Sequence, residues 1–303
     1  MSSMSDAVLA PAAHDAVQLP AVYLAADHAS GSGQRLALGF RASQLIALVL
    51  AAVLGAIPAT GGKVQWPALL AGVLFGMVGL VEATILTLQP ERTWFQGRAV
   101  AESVKSLAWR YAVAGLPFRK LDSGAGNPDL RLAQRLREIL SDFQDVHVVP
   151  LETPADEITH WMRSMRSSSL ATRKRIYQKH RIENQRSWYA TNALRNQRRS
   201  VFWSISMLVI QTLGIIGAIL KGIGTIDFEA LGILAAVAAS ALAWLQIKQH
   251  ATLTQSYSHA AHELSAIEAS IGPVHEEADW AAFVDDAESA ISREHTAWQA
   301  KRS

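Results

Sequence analysis

The amino-acid sequence predicts an all-α integral membrane protein with two transmembrane helical hairpins that are extended by long cytosolic helices. Four apolar segments of about 20 residues occur in two pairs, and a helix of that length crosses a hydrocarbon core of roughly 30 Å. Half of the 303 residues are hydrophobic. The chain outside the four apolar segments is too polar for the bilayer interior and must pack in water. Apolar residues outside the four segments recur at helical spacing. These observations favour membrane helices joined to packed helices in water.

The chain divides into five regions. They are a flexible cytosolic N-terminal segment (1–35), a first transmembrane hairpin (36–90), a cytosolic helical region with a basic block (91–200), a second transmembrane hairpin (201–247) and acidic C-terminal cytosolic helices (248–303). The first region has no signal-peptide pattern and is rich in Ala, Ser, Asp and His, so we expect it to be flexible. The apolar helices are expected over 36–58, 66–88, 201–220 and 226–247.

Each hairpin is followed by a helix with apolar residues three or four positions apart, which places them on one packing face. The three predicted seams are Trp94, Gly97, Ala101, Val104, Ala108 and Tyr111; Leu253, Tyr257, Ala260, Leu264, Ile267 and Ile271; and Trp280, Val284, Ala287, Ile291, Glu294 and Trp298. Pro90 suits the start of the first of these helices, and Gly115 with Pro117 suits its end. We assign Trp94, Arg98, Glu102 and Trp109 to helix packing.

The centre of the chain predicts one long helix and two irregular stretches. Thr153 and Pro154 suit the cap and first turn of a helix from about 155 to 200 that runs into the third membrane helix. Residues 146–150 are compatible with a short strand, although a strand alone is unstable. The Gly- and Pro-containing stretch 123–128 predicts a loop and an internal boundary.

Charge sets the expected orientation. The short turns within the hairpins carry Lys63 and Lys221, whereas most basic residues lie in the long central connection and beside the membrane ends. Because basic residues stay on the cytoplasmic side, both termini are expected in the cytoplasm of a cell whose plasma membrane holds the protein. The chain has no cysteine, no phosphate-binding loop and no catalytic or metal motif, so we expect neither an enzyme nor a cofactor.

Glu82 is an acidic residue inside a predicted membrane helix, where charge is costly and usually functional. Arg41 lies in the preceding helix, which runs the opposite way, and helical rise places the two residues at nearly equal depth. Two interpretations remain open. Glu82 lines a cation path, or Arg41 and Glu82 form an ion pair that only fixes the hairpin.

Helix three of the membrane region carries the polar residues Ser204, Gln211 and Thr212. They line a narrow polar path, or they form hydrogen bonds between helices, which is the commoner use. Four helices alone make a poor channel, so conduction requires a homo-oligomer, for which we expect a tetramer.

The basic block supplies candidate ligand-binding residues, because Arg and Lys neutralise phosphates and aromatic side chains stack on bases. The candidates are Arg173, Lys174, Arg175, Lys179, Arg181, Arg186, Trp188 and Tyr189. The alternative is that this block pairs with the acidic C-terminal helices and with anionic lipid. We assign Arg195, Arg198 and Arg199, which lie next to the membrane, to lipid contact or topology rather than to ligand binding.

Three ordered stretches resemble the SLATT family of bacterial membrane proteins in its tandem, four-transmembrane-helix form. They run from Arg92 to Tyr111, from Tyr177 to Asn196 and from Ala287 to Trp298. The resemblance implies a pore-forming or membrane-perturbing effector of anti-phage defence in the bacterial inner membrane. It also implies a nucleotide or oligonucleotide signal made by a partner nucleotidyltransferase. A membrane-anchored scaffold for a soluble partner and a non-selective membrane disruptor are the alternatives.

Overall fold

The structure is a computed structural model that describes residues 17–58, 64–120, 126–143, 156–225 and 230–300, apart from the side chains of 230 and 293–300. The regular elements in these ranges are α1 (Ala21–Gly55), α2 (Trp66–Leu88), α3 (Pro90–Ala112), α4 (Pro128–Asp142), α5 (His160–Ser167), α6 (Leu170–Tyr177), a π-helical segment (Gln178–Glu183), α7 (Asn184–Gly222), α8 (Ala230–Lys248), α9 (His250–Ala269) and α10 (Glu277–Ala300). All of them are helical, which confirms the predicted all-α class.

Two compact units make up the described residues. The core unit comprises the described parts of Met1–Asp27, Ala99–Asn184 and Ala266–Ser303. The hairpin unit comprises those of His28–Arg98 and Gln185–Ser265. The division separates the strongly apolar helical stretches from the amphipathic ones, so the two units have different kinds of surface.

Four helical stretches are long and apolar enough to cross a membrane, namely Ala21–Gly55, Trp66–Ala112, Leu170–Gly222 and Leu231–Ala269. The larger part of each stretch belongs to the hairpin unit. At most 17% of the most apolar window of any of them is buried within the protein. Large side chains such as Phe75, Leu80 and Phe202 are more than 60% exposed. Because exposed apolar area of this extent is unfavourable in water, these helices are membrane-spanning. The predicted integral membrane protein with two helical hairpins is confirmed.

The N-terminal segment differs from the flexible region expected over 1–35. Helix α1 begins at Ala21, and the amide of Ala21 donates to the carbonyl oxygen of Asp156 at 3.3 Å. Val22, Ala25 and Ala26 are buried. Their spacing of three and four residues gives the helix an apolar face, which is why this part is ordered. Residues 1–16 lie outside the described residues.

Helices α2 and α8 end in the same way. Gln89 and Gln249 have left-handed backbone conformations, with φ of 44° and 49°. The amide of Gln89 donates to the carbonyl oxygen of Ile85 at 2.9 Å, and that of Gln249 donates to Leu245 at 2.8 Å. A left-handed residue satisfies a free carbonyl and turns the chain. Both hairpins are therefore joined to the following helix, α3 or α9, by an equivalent joint.

The core unit buries the apolar seams of α3 and α10 around a cluster of aromatic rings. Trp109, Tyr177 and Trp280 have less than 3% of their surface exposed. Tyr177 makes edge-to-face contacts with both tryptophans, with ring centroids 5.7 and 5.6 Å apart. Val284, Ala287 and Ile291 of the third predicted seam are buried here too, while Glu294 and Trp298 are outside the side chains described.

The long helix expected from about 155 to 200 is broken. Helix α5 is capped by the Thr159 hydroxyl, which accepts from the Met162 amide at 3.2 Å, and α6 is capped by Ser169, which accepts from Thr172 at 3.3 Å. Ser168 and Ser169 have extended backbones between the two helices. Serine side chains compete for backbone donors and favour such ends, so the expected single helix starts anew at Leu170.

Two other sequence expectations fall wholly or partly outside the described residues. These are the Thr153–Pro154 cap with the 146–150 strand, and most of the 123–128 loop. Where description resumes, Asn127 caps α4 by accepting from the Asp129 amide at 2.9 Å. Leu132 and Leu136 of α4 are buried in the core unit, so the segment that follows the expected loop belongs to that unit.

Candidate functional site

The first hairpin contains a polar cluster at the position of Glu82. Arg41 Nη1 lies 2.8 Å from Glu82 Oε2, and Gln44 Nε2 donates to the same oxygen at 2.8 Å. Arg41 Nη1 also donates to Gln44 Oε1 at 3.3 Å. The ion pair that equal depth predicted is therefore present, with an amide as a third member.

A second carboxylate approaches the same guanidinium. Arg41 Nε lies 3.5 Å from Glu91 Oε1, at the start of α3. One positive and two negative side chains give the cluster a formal charge of −1. The carboxylates of Glu82 and Glu91 are 42% and 47% exposed. The arrangement thus presents partly accessible oxygens beside a hairpin of apolar helices, and such oxygens attract cations.

Sequence reasoning missed Gln44 and Glu91. Gln44 follows Arg41 by three residues, which places both on one face of α1, and this spacing was the available signal. Glu91 lies beyond the predicted membrane end, where an acidic residue in a first helical turn is ordinary. The left-handed turn at Gln89 brings α3 back toward Arg41. No pattern in the sequence predicts that turn.

The second hairpin has no such cluster at the equivalent place. Glu82 precedes the left-handed Gln89 by seven residues, and seven residues before Gln249 the sequence has Leu242. Leu242 is 49% exposed. The two hairpins therefore share their joint but differ in charge.

The polar residues of α7 do not join this cluster by any hydrogen bond among the described residues. Ser204, Gln211 and Thr212 are exposed. Thr212 Oγ1 donates to the Leu208 carbonyl oxygen of its own helix at 2.9 Å, which satisfies it without a neighbour. Ser204 and Gln211 lie seven residues apart and share one face of α7.

Arg181 is buried in the core unit and bound by acidic and hydroxyl groups. Its Nε and Nη2 atoms lie 2.9 and 2.6 Å from the two oxygens of Glu288 on α10. Nη2 also donates to Ser106 Oγ at 3.2 Å, and the Tyr177 hydroxyl donates to Glu288 Oε1 at 2.9 Å. Arg181 and Glu288 have 1% and 0% of their side chains exposed. This geometry matches the pairing interpretation of the basic block.

Arg173 and Lys174 are also held within the core unit. Arg173 forms an ion pair with Glu277 and donates to the Val113 carbonyl oxygen at 2.8 Å. Lys174 Nζ donates to the carbonyl oxygen of Val274 at 2.5 Å. These cations fix α6 against the start of α10 and the segment before it.

The remaining candidates are spread over two surfaces. Arg175 and Lys179 are exposed, and Arg186 is half-buried. In the hairpin unit Trp188 and Tyr189 both contact the ring of Tyr257, with centroids 5.3 and 5.6 Å away. Tyr189 is buried and Trp188 is 40% exposed. The rings of Trp188, Tyr189 and Tyr257 pack on one another in edge-to-face and tilted contacts.

Of the four residues assigned to helix packing, Trp94 and Trp109 contact residues of other helices, Ser30 of α1 and Trp161 of α5. The Trp94 carbonyl oxygen accepts from Ser30 Oγ at 3.0 Å, and its ring stacks on Phe95 at 4.8 Å. Trp109 lies in the aromatic core. Glu102 is buried, with Lys105 Nζ 3.9 Å from its Oε2, and Arg98 is half-buried.

A further charged group, absent from the sequence predictions, lies at the start of α4. Asp129 accepts from the Tyr111 hydroxyl and from Arg163 Nε, the latter at 3.0 Å. Burial alone would raise the pKa of the Asp129 carboxyl, but these hydrogen bonds and the nearby guanidinium groups lower it below its ordinary value. Asp129 therefore links α3, α4 and α5 by an ionised carboxylate.

Comparisons with known proteins agree with this architecture. Residues 20–174 match SLATT_3, described as SMODS and SLOG-associating 2TM effector domain 3, and residues 177–298 match SLATT_1, described as SMODS and SLOG-associating 2TM effector domain 1. No curated protein and no solved structure gives a significant match. The two matched ranges meet next to the π-helical segment, and each contains one hairpin. The chain therefore belongs to the SLATT family of effectors associated with SMODS and SLOG defence systems, as two domains in tandem.

Proposed function

We propose that the protein is an oligomeric, ion-conducting membrane effector of bacterial anti-phage defence. A nucleotide or oligonucleotide signal that binds the cytosolic helices gates it. The observation that carries this proposal is the Arg41–Gln44–Glu82 cluster, because ionisable groups inside membrane hairpins are costly and mark ion pathways. Family membership supports the role in defence.

The charge of the cluster supports a path for cations. Glu82 and Glu91 surround one guanidinium, so a carboxylate remains to compensate a passing cation. Four copies of the hairpin unit around one axis would bring four such clusters together, in the closed symmetry that homo-oligomers favour. Ser204 and Gln211 would add polar oxygens on the same path.

The proposed signal site uses the exposed cations of the basic block. Arg175 and Lys179 lie four positions apart and are exposed, so a phosphate can reach them without breaking the buried pairs of Arg173 and Arg181. Binding there would act on the π-helical segment that leads into α7. Gating requires that the ligand bind the open and closed states with different affinity.

Ion flux from liposomes tests the proposal. The purified protein is reconstituted and flux is measured with cyclic and linear oligonucleotides, for wild type, Glu82→Gln and the control Thr84→Val. Thr84 is on the same helix, and its Oγ1 donates to the Leu80 carbonyl oxygen of that helix at 2.8 Å. We expect ligand-dependent, cation-selective flux that loses its cation preference in Glu82→Gln and keeps it in Thr84→Val.

Two outcomes favour the alternatives. Inserted, oligomeric protein that gives no flux with any ligand supports a scaffold. In a scaffold the pairing of Arg41 with Glu82 would be purely structural. Flux that is insensitive to ion type and to Glu82→Gln supports a non-selective disruptor.

The pair Arg175→Gln with Lys179→Gln separately tests the signal site, since it removes two charges and no buried contact.

A further inference from the structure

Three arginines at the membrane end of the basic block differ from those in the core unit. Arg195, Arg198 and Arg199 lie on α7, two to six residues before the apolar stretch that starts at 201. Their side chains are exposed, and no hydrogen bond or ion pair holds any of them within the described part of the chain. Arg173 and Arg181, by contrast, are fully buried and paired.

The sequence offers these three arginines no acidic neighbour along the helix. No Asp or Glu occurs between Glu183 and Asp227, so pairs three or four positions apart cannot form. Arg195 and Arg199 are one turn apart, and Arg198 lies beside them. Three guanidinium groups therefore share one side of α7, a helix that carries no acidic residue of its own.

Aromatic residues place this cluster at the edge of the apolar region. Phe202 and Trp203 follow directly, with ring centroids 5.9 Å apart. At the end of α8, Lys248 Nζ lies 5.0 Å from the centroid of the Trp244 ring. Asn196 Oδ1 and His250 Nδ1, 2.7 Å apart, tie this level of α7 to the start of α9. Tryptophan and basic residues at helix ends are typical of the headgroup level.

We propose that Arg195, Arg198 and Arg199 form a binding site for the phosphate groups of anionic phospholipids. Guanidinium groups bind phosphate oxygens in pairs, and the leaflet presents such phosphates at this level. The positive cluster needs a partner of opposite charge, and lipid is the anion that the adjoining apolar helix already contacts. The site is independent of the proposed pore and of the nucleotide signal.

Spin-labelled lipids in reconstituted vesicles test this site. The protein is placed in phosphatidylcholine vesicles, and the relative association of labelled phosphatidylglycerol and phosphatidylcholine is measured at low and high salt. Arg195→Gln with Arg199→Gln is compared with the lysine pair at the same positions and with Arg175→Gln and Lys179→Gln. The last pair removes two exposed charges at the same spacing, far from the membrane end in sequence.

We expect the preference for phosphatidylglycerol to fall by about fivefold for each arginine removed, to survive in the lysine pair and to weaken at high salt. The variant with Arg175→Gln and Lys179→Gln should keep the preference for phosphatidylglycerol. An unchanged preference in the glutamine pair, or an equal loss in both glutamine pairs, would overturn the proposal. So would loss of the preference on addition of soluble oligonucleotide, which would assign the cluster to the signal instead.

A second measurement uses wild type, so its result does not depend on whether the variants insert into the membrane. Arginine modification by phenylglyoxal is mapped by mass spectrometry in vesicles with and without phosphatidylglycerol. Protection of Arg195, Arg198 and Arg199 that depends on the anionic lipid is expected, with Arg175 equally reactive in both vesicles. Equal reactivity of the three arginines in both would contradict the site without any substitution.

Discussion

Two ion pairs, one in the hairpin unit and one in the core unit, have further polar partners: Arg41 and Glu82 are partly exposed, whereas Arg181 and Glu288 are fully buried. Arg41 and Glu82 satisfy one another within an apolar hairpin, and Arg181 with Glu288 does so in an aromatic core. Taking two ions out of water is costly, and their attraction offsets that cost only when the geometry is good and further hydrogen bonds exist. Gln44 provides these in the first case, and Ser106 and Tyr177 in the second. Loss of one partner of the buried Arg181–Glu288 pair therefore costs much more than loss of an exposed charge.

Replacing Glu288 by Gln tests the buried pair. We expect the free energy of unfolding in detergent to fall by about 3–5 kcal/mol, because Arg181 would remain charged and unpaired in the core. The control is Asp286→Asn, which removes an exposed carboxylate from the same helix and should change stability by less than about 0.5 kcal/mol.

A double replacement separates the charge from the packing. Arg181→Met with Glu288→Met removes both charges, so the double variant should be more stable than Glu288→Gln alone. A double variant that is less stable than wild type would show that the attraction exceeds the desolvation cost at this site.

Asp129 gives the core unit a dependence on pH. Its pKa is lower in the folded state than in the unfolded chain, so its contribution is complete above the unfolded pKa of about 4 and is lost as the pH falls through the lower folded pKa. Wild type should unfold at a higher temperature than Asp129→Asn near pH 7. The difference should shrink toward about pH 3. Thermal melts across this range check it, and a difference that grew on acidification would have the wrong sign.

Helix contacts in the hairpin unit depend on one close backbone approach. A Cβ atom on Gly33 of α1 would lie 2.7 Å from the Trp94 amide nitrogen and 2.9 Å from the Pro90 carbonyl oxygen. Neither atom belongs to a flexible side chain, so only glycine allows α1 and α3 to meet here. Gly39 of the same helix has no atom within 4 Å of the equivalent point.

The two glycines of α1 should respond in opposite ways to alanine. Gly33→Ala is expected to destabilise the protein by about 1–3 kcal/mol, because α1 and α3 must separate. Gly39→Ala should be neutral or stabilise by up to about 1 kcal/mol, since alanine favours the helix. Thermal unfolding of both variants in detergent provides the comparison. Equal effects would mean that the close approach is not maintained in solution.

The sequence was sufficient to predict features that depend on a local pattern. It was insufficient to predict contacts between residues that are distant along the chain. Seam residues such as Val104 and Val284 repeat along one helix, and the depth of Arg41 and Glu82 follows from residue counts. The pairing of Arg181 with Glu288 spans 107 positions, and a charge balance cannot select that partner among many acids. Ser168 and Ser169 ended a helix within a basic stretch of high helical propensity, where capping prevailed.

Taken whole, a chain with four membrane crossings must return its ends and its centre to one side of the membrane. The absence of cysteine makes every introduced cysteine a unique label. Cysteine at Ser164, an exposed residue of α5, should react with an impermeant maleimide only from the cytoplasmic side. Cysteine at Val64 or Thr225, exposed near the two turns, should react only from the outside. Labelling of all three from one side would contradict four crossings.

The two left-handed glutamines, Gln89 and Gln249, are 160 positions apart. Each ends a hairpin, and the two hairpins share this joint but carry different residues, Glu82 and Leu242, seven positions before it. An assembly of such chains has twice as many hairpins as charged clusters. If the proposed oligomer forms, each chain would contribute one hairpin with the Arg41–Glu82 pair and one hairpin with Leu242 at the equivalent position. Covalent linkage of the two unlike domains would then hold these two kinds of hairpin at a ratio of one to one, whatever the number of subunits.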